Sequence, residues 1–307
     1  MYDTIVIGAG PAGLTAAIYA SRRAMKVLVI SGDIGGQITK TYDIENYPGF
    51  EHISGAELAL KFRHQAEKFG AEIILDSATS ITPQEQHFIV KTDRTEYRAR
   101  SIILAFGKKP RELNVPGESK LKGHGVTYCA TCDAPFFKAK DVAVVGGGNS
   151  AIDAALLASR ISDTVYLIHR GSVLTGEQYL IDKIKESPNI KTIFNAEVSE
   201  IAGKSHVDGL VLKDGTQLSV SGVMIEVGYI VDRSLVEGLV ELDKRNQIIV
   251  NGQQETSVPG IFAAGDLTPT PYKQIVISAS EGAKAALACF DFIQRQQGRR
   301  GIIADWH

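Results

Sequence analysis

Two cysteines separated by two residues, Cys129 and Cys132, form the most reactive pattern in this 307-residue sequence. Two intervening residues let the thiols close a small ring, and such pairs lower a thiol pKa and poise a disulfide for exchange. Asp133 follows directly and could donate or accept a proton. The alternatives are two buried reduced cysteines and a solvated turn carboxylate. The spacing favours redox chemistry, with Cys129, Cys132 and Asp133 as catalytic residues.

A metal site is a weaker interpretation of the same cysteines. The sequence offers no second cysteine or histidine pair to complete a tetrahedral zinc site, so we predict no metal. The third cysteine, Cys289, lies in an alanine-rich stretch and is expected to fill the core. Three cysteines cannot build a disulfide scaffold, which makes a reducing compartment the default expectation.

Two glycine-rich segments that look alike are the elements that must position this chemistry. Asp3–Gly13 reads DTIVIGAGPAG, and Asp141–Ala151 reads DVAVVGGGNSA. Each is a β-branched run that ends in glycines and precedes an alanine-rich helical stretch, Leu14–Ala24 or Ile152–Ile161. Such strand–turn–helix units let a dinucleotide pyrophosphate approach the helix N-terminus. A glycine turn that only packs an ordinary α/β unit is the alternative.

The two units predict an α/β protein with two Rossmann-like domains, each doubly wound and three-layered. Alternating apolar and polar residues over Thr79–Phe106 and Ile193–Gly228 predict an antiparallel meander after each unit. A long helix is expected over Ser278–Gln297.

The order of these elements predicts that the second domain is inserted into the first. We take Pro110–Gly117 and Val236–Leu242 as linkers. Residues 1–112 and 243–307 would then form the first nucleotide-binding domain, and 113–242 would form the second, which carries the cysteine pair. Residues 298–307 would form a C-terminal tail.

Composition excludes several classes of partner. The net charge is −2 without a basic stripe, which argues against nucleic acid. No window approaches the roughly 20 apolar residues of a membrane helix. The chain starts as a strand rather than as a signal peptide, so a cytoplasmic location is expected.

The motifs occur in the order GAGPAG, GGQITKTYDIENYPG, CATCD, VVGGGNSAIDAA and SVPGIFAAGD. Over nearly the whole chain this arrangement resembles the low-molecular-weight thioredoxin reductases. Related disulfide reductases carry their cysteine pair near the first helix instead. The resemblance implies a homodimer with FAD in the first domain and NADPH in the inserted one. It also implies domains that rotate, presenting the cysteine pair first to the flavin and then to thioredoxin.

The resemblance also implies roles for single residues. Cys132 would face the flavin, Cys129 would attack the target disulfide, and Asp133 would be the acid. The residues expected to contact the flavin cofactor are Gly8, Gly10, Pro11, Ala12, Gly13, Ser31, Gly35, Gly36, Gln37, Asn46, Gly107, Gly265, Asp266, Lys273, Gln274 and Ile275.

The sequence departs from the family where the family binds the 2′-phosphate of NADPH. The basic cluster H-R-R-x-x-x-R is replaced by His169–Thr175, in which only Arg170 remains. Losing two arginine partners is expected to weaken NADPH binding by about two to four orders of magnitude. We therefore predict a donor other than NADPH, with ferredoxin favoured. This resembles the pyridine-nucleotide-independent branch, which includes the ferredoxin-dependent flavin thioredoxin reductases.

Trp306 and His307, at the end of the tail, are a second feature that argues against NADPH as the electron donor. We predict that this tail packs against a flavin face where a nicotinamide would otherwise stack. A disordered terminal tryptophan is the alternative.

Three other functions stay open: an NAD(P)H-dependent thioredoxin reductase, a diflavin oxidoreductase that passes electrons from the dithiol to the flavin, and a flavin redox sensor without turnover.

Overall fold

The computed structural model describes residues 1–40 and 44–299, and the side chains of all of these except residues 131 and 132. Elements are labelled in chain order. The strands are β1 (Tyr2–Ile7), β2 (Val27–Ser31), β3 (Glu72–Leu75), β4 (Ala78–Pro83), β5 (Phe88–Thr92), β6 (Glu96–Leu104), β7 (Lys109–Pro110), β8 (Val126–Thr127), β9 (Val142–Val145), β10 (Val165–Ile168), β11 (Ile190–Ile193), β12 (Val198–Ala202), β13 (Gly209–Leu212), β14 (Gln217–Leu218), β15 (Gly222–Ile225), β16 (Tyr229–Ile230) and β17 (Ile261–Ala263). The helices are α1 (Pro11–Arg22), α2 (Gly55–Lys68), α3 (Glu118–Leu121), α4 (Ala130–Asp133), α5 (Asn149–Ser159), α6 (Gln178–Glu186) and α7 (Ile275–Gln296), with 3-10 turns at Gly36–Lys40 and Ala134–Phe137.

The chain divides into two compact units. The first combines residues 1–109 with the chain from residue 231 onward, and the second is Pro110–Ile230. The predicted linker Val236–Leu242 therefore belongs to the first unit, and the second crossing lies 242 − 230 = 12 residues before the predicted boundary. The physical reason is burial, because Val231, Val236 and Val240 pack into a core cluster of the first unit.

The first unit is built on a seven-stranded mixed sheet, in which six strands have the order β3-β2-β1-β6-β5-β4 and the seventh, β17, pairs with β6. β1, β2, β3 and the C-terminal part of β6 are parallel, whereas β4, β5 and the N-terminal part of β6 form an antiparallel meander. β17 pairs in parallel with Ile102–Leu104 of β6. Parallel strands place their carboxyl ends at one edge, which is where the glycine turn after β1 lies.

The main helices begin earlier than the sequence predicts. α1 begins at Pro11 rather than Leu14, because Gly10 is its N-cap and proline is favoured in the first turn. α5 begins at Asn149 rather than Ile152, with Gly148 as its N-cap. α7 begins at Ile275, three residues before the predicted start. Both glycine turns therefore lead directly into a helix N-terminus.

The second unit contains a five-stranded parallel sheet with the order β11-β10-β9-β15-β8. Its core includes Val142, Val144, Val165, Leu167 and Met224, all fully buried. β12, β13 and β14 form a separate antiparallel sheet, so the predicted second meander ends before β15, which returns to the parallel sheet. β7 and β16 pair where the chain crosses between the units.

Across the described part of the chain, none of the helices has the length and apolar character needed to cross a membrane.

Candidate functional site

The glycine turn after β1 contains glycines of two kinds. Gly8 and Gly13 are required by packing, since a Cβ would lie 2.4 Å from the carbonyl oxygen of Ala105 in the first case and 1.9 Å from that of Gly8 in the second. Gly10 has an ordinary φ of −78°, and its Cβ would approach nothing closer than the Gly35 oxygen at 3.8 Å. The space above Gly10 and the α1 N-terminus is therefore an open cradle that suits a diphosphate.

The segment after β2 closes one side of this cradle. The Gly35 N–H donates to the Ala9 carbonyl at 2.8 Å, and both Gly35 and Gly36 have positive φ. A Cβ on Gly36 would lie 3.6 Å from the Gly10 Cα. Left-handed backbone at two successive glycines thus brings this segment against the turn after β1.

Gln37 carries an unsatisfied acceptor in the same region. Its Nε2 donates to the Lys108 carbonyl at 3.0 Å, whereas its buried Oε1 has no hydrogen-bond partner among the described residues. Buried amide oxygens are normally satisfied, so this atom fits a ligand that offers an N–H, as a flavin ring does. Ser31 ends β2 and Gly107 follows β6, so both lie at the carboxyl ends of strands that flank β1.

The Gly265–Asp266 loop is held by a buried carboxylate, Glu281, which no sequence motif predicts. Glu281 is 5% exposed. Its Oε2 accepts from the Gly265 N–H at 2.7 Å and from the Thr268 hydroxyl at 3.1 Å, and its Oε1 accepts from Thr270. Asp266 accepts from Ser278 at 3.2 Å. The available sequence signal is that Glu281 lies on the same face of α7 as the small buried residues Ser278 and Ala285.

The residues around the start of α7 form hydrogen bonds with the Thr268 loop and with Asn46, which is far away in the sequence. Lys273 donates from Nζ to the Thr268 carbonyl at 2.7 Å, and burial together with the nearby Lys108 lowers the pKa of Lys273. Gln274 is the N-cap of α7 and accepts from Asn46 at 3.3 Å. Ile275 is the first residue of that helix.

These contacts bring several of the predicted cofactor residues of the first unit close to one another. Gly10 adjoins Gly35 and Gly36, and a Cβ on Gly265 would lie 2.9 Å from that of Ala12. The residues present therefore fit FAD. The predicted contacts of Trp306 and His307 lie outside the described residues.

In the second unit, Cys129 is disulfide-bonded and immediately precedes α4. The Cys129 N–H donates to the Thr127 hydroxyl at 3.0 Å, and the Asp133 N–H donates to the Cys129 carbonyl at 3.2 Å. The backbone of the predicted catalytic segment is thus held on both sides of Cys129. The side chain of Cys132 lies outside the described residues.

Cys289 is a thiol in a very different environment. It is fully buried in α7, with Sγ 2.9 Å from the Ser101 hydroxyl. Burial raises the pKa of the Cys289 thiol to about 11, so the thiol stays protonated at neutral pH. Its position agrees with the core role predicted from the sequence.

The second glycine turn is open above Gly148. A Cβ on Gly148 would approach only the Thr175 hydroxyl, at 3.9 Å. The Thr175 N–H and hydroxyl both donate to the Gly147 carbonyl, at 2.7 and 3.2 Å. A Cβ on Gly147 would lie 2.2 Å from Nδ1 of His169, so this imidazole packs directly on the turn. Gly171 and Thr175 stand where the family carries arginines.

The described residues contain no group of three or more His, Cys, Asp and Glu side chains that could hold a metal ion.

A dinucleotide cradle in one unit and a disulfide in a second unit with its own glycine turn define a class, the flavoprotein disulfide oxidoreductases. The chain belongs to the pyridine nucleotide-disulphide oxidoreductase family, whose pattern matches residues 2–283.

Individual relatives refine this result. The chain is 38% identical over 305 residues to an alkyl hydroperoxide reductase protein from Escherichia coli, covering 96% of this chain but only 58% of the relative's length. The Lactococcus lactis thioredoxin reductase structure matches with a TM-score of 0.90 and 34% identity, covering 96% of this chain and all of that one. The structure of a ferredoxin-flavin thioredoxin reductase from Clostridium acetobutylicum matches with a TM-score of 0.56 and 32% identity. The match covers 97% of this chain and 99% of that one.

These relatives place the chain in the low-molecular-weight thioredoxin reductase class. They confirm the predicted fold of two Rossmann-like domains and the prediction of FAD as cofactor.

Proposed function

We propose that this protein is a thioredoxin reductase-like flavoenzyme that passes electrons from FAD to the pair Cys129–Cys132 and on to thioredoxin or a thioredoxin-like protein. The observation that carries the proposal is the disulfide at Cys129 in a chain whose other unit offers the cradle at Gly10. FAD, when bound, supplies a two-electron store that can be filled by single electrons or by pairs.

Thiol–disulfide exchange by the cysteine pair accounts for the output step. The Cys129 thiolate attacks one sulfur of the partner disulfide, and the other partner sulfur leaves as a thiolate. Cys132 then attacks the Cys129 sulfur, which restores the enzyme disulfide and releases the partner as a dithiol. Two electrons and two protons pass to the partner, with Asp133 as the proposed proton donor and acceptor.

The proposed FAD contacts are those expected from the sequence. The glycines of the first turn would hold the pyrophosphate, Gln37 would use its unsatisfied oxygen, and Glu281 would keep the Gly265–Asp266 loop in place. A homodimer stays a prediction from the resemblance.

The proposed electron donor is a one-electron protein such as ferredoxin rather than NADPH. Arg170 is the single arginine kept from the phosphate-binding cluster, and it is exposed. Gly171 and Thr175 add no charge, and the Thr175 hydroxyl already donates a hydrogen bond to the Gly147 carbonyl. A doubly charged 2′-phosphate would lack the charge-assisted partners that offset its desolvation. The structural match to a ferredoxin-flavin thioredoxin reductase supports this choice.

An NAD(P)H-dependent thioredoxin reductase is the second candidate. The open space above Gly148 supports it, because a Cβ there would meet nothing closer than 3.9 Å, much as a Cβ on Gly10 would meet nothing closer than 3.8 Å.

An anaerobic titration that follows flavin absorbance separates these donors. We expect reduced ferredoxin to bleach the flavin in proportion to the electrons added, and a large excess of NADPH or NADH to leave it oxidised. Rapid bleaching by a small excess of NADPH would reject the ferredoxin assignment. Purified protein without a yellow cofactor would reject every flavin-based function.

Restoring the two missing arginines should create NADPH binding. In the double variant Gly171→Arg/Thr175→Arg we expect the NADPH affinity to rise by about two to four orders of magnitude. The new Cβ at residue 171 would lie 2.7 Å from Nε2 of His169, so this imidazole must rotate away from the turn. Isothermal titration calorimetry measures the affinity.

The matched control is Gly171→Gln/Thr175→Gln, which adds similar side-chain length without charge. If both double variants bind NADPH as weakly as the unmodified protein while staying folded, missing charge is not the cause.

A further inference from the structure

A tight turn at residues 115–118 places the carboxylate of Glu118 beneath residues 113–115, which follow the first crossing between the units. The sequence Val115-Pro116-Gly117-Glu118 has the features of a type II turn, with proline second and a left-handed glycine third. Gly117 has φ 86°, and the Glu118 N–H donates to the Val115 carbonyl at 3.2 Å. Alanine does not fit at residue 117, because its Cβ would lie 1.8 Å from the Ile201 oxygen.

This turn folds the Glu118 side chain back under residues 113–115. Glu118 is 3% exposed. Its carboxylate accepts from the backbone N–H groups of Leu113 at 2.9 Å, Asn114 at 2.6 Å and Val115 at 3.4 Å. A buried carboxylate requires such donors, and several backbone N–H groups satisfy it well.

The fourth donor to this carboxylate is the residue immediately before the disulfide. The Tyr128 hydroxyl donates to Glu118 at 2.7 Å, and the Tyr128 ring packs against the same core cluster as Leu113 and Val115. Lys122 lies 4.9 Å from the ring centroid and forms an ion pair with Glu112 at 3.4 Å. Residues 112–115 are thus linked to Tyr128 in two ways: through the partly buried hydrogen bond to Glu118, and through Lys122, which contacts both Glu112 and the Tyr128 ring.

We propose that Glu118 and Tyr128 are positioning residues for Cys129, which fix the disulfide segment to residues 112–115 as one rigid body. This inference rests on the proposed function, in which Cys129 attacks a protein disulfide. Thr127 binds the Cys129 N–H directly, so the residues on the N-terminal side of the thiol are held by two separate hydrogen bonds. The carboxylate is the point where the segment 112–115 and the cysteine segment meet.

The size of the target decides how much this positioning matters. A thioredoxin-sized disulfide reaches Cys129 in few orientations, because the protein around it must dock at the same time. A small aromatic disulfide approaches from many directions. Loss of orientation lowers the rate of a geometrically demanding reaction far more than that of a permissive one. The ratio of the two rates therefore reports positioning rather than thiol reactivity.

Tyr128→Phe tests the proposal, because it removes the hydroxyl and keeps the ring. Tyr166→Phe is the matched control: Tyr166 packs against the same core cluster and has Lys191 5.5 Å from its ring centroid, and among the described residues no carboxylate accepts from its hydroxyl. Each flavin-loaded protein is reduced chemically, freed of reductant and mixed in single-turnover experiments with oxidised thioredoxin or with 5,5′-dithiobis(2-nitrobenzoic acid).

In Tyr128→Phe we expect the rate toward thioredoxin to fall about tenfold and the rate toward the small disulfide to stay unchanged. Tyr166→Phe should match the unmodified protein toward both. A second variant, Glu118→Gln, should show the same selective loss. Unchanged rates in Tyr128→Phe overturn the proposal, and so does an equal fall toward both probes.

A partner-independent measurement keeps this inference separate from the proposed function. If the unmodified reduced protein transfers no electrons to thioredoxin, that function fails. Positioning is then decided by amide hydrogen exchange at Cys129. We expect exchange to accelerate in Tyr128→Phe and not in Tyr166→Phe, and equal exchange in both variants overturns the inference.

Discussion

The variant Cys129→Ser is expected to keep its FAD and to lose turnover of protein disulfides by at least about 10³-fold. A serine hydroxyl is protonated at neutral pH and is a far weaker nucleophile toward a disulfide than a thiolate. The FAD cradle lies in the other unit, so cofactor content should not change. Stopped-flow measurement of thioredoxin reduction by the chemically reduced variant gives the rate.

Cys289→Ser is the matched control, since it makes the same substitution at a thiol that is buried and protonated. We expect this variant to reduce thioredoxin at the rate of the unmodified protein. Loss of turnover in both variants would point to general damage. Full turnover in Cys129→Ser would remove Cys129 from the mechanism. If the protein is instead a flavin redox sensor, Cys129→Ser should still bind its partner. Its rate of thioredoxin reduction should not differ from that of the unmodified protein, because a sensor has no turnover.

The second large effect is expected at Gly10. Gly10→Ala should yield folded protein that has lost FAD affinity by about 100-fold or more, because a methyl group would occupy the cradle at the α1 N-terminus. Its φ of −78° suits alanine, so the substitution adds no backbone strain. Circular dichroism reports the fold, and fluorescence titration of the apoprotein with FAD reports the affinity.

Gly148→Ala is the corresponding change in the second unit, where the surroundings of the glycine are equally open. If the donor is a protein such as ferredoxin, this variant should reduce thioredoxin at an unchanged rate. A large loss of NADPH-driven turnover in Gly148→Ala would support the NAD(P)H-dependent alternative.

For the first unit, an unchanged FAD affinity in Gly10→Ala would contradict the assignment of the cradle at the α1 N-terminus to FAD.

The local motifs could be predicted from the sequence because each one carries its own physical cause. A β-branched run followed by glycines indicates a strand and a turn, and both turns lie where they were expected. The cysteine spacing predicts a redox pair without any knowledge of the fold. The predicted start of α1 lies three residues late, because it falls on the first periodic apolar residue, Leu14, whereas the helix begins at Pro11 behind the cap at Gly10.

The second boundary between the units could not be predicted in the same way. The sequence predicts a linker at Val236–Leu242. Only the folded chain shows Val236 and Val240 packed into the first unit. Burial depends on which distant residues arrive at a surface, and a local pattern of residue types does not contain that information.

The amino-acid sequence alone established the family, the two glycine turns, the cysteine pair and the missing arginines around His169. These properties depend on residue types at short spacing. Tertiary structure decided that Gly10 faces open space whereas Gly8 and Gly13 face backbone, and that Gln37 keeps an unsatisfied oxygen. It also decided that the buried carboxylates of Glu281 and Glu118 organise the loops that carry Asp266 and Cys129. A buried charge must collect its hydrogen-bond donors from wherever the fold brings them, so such residues become recognisable only once the chain is folded.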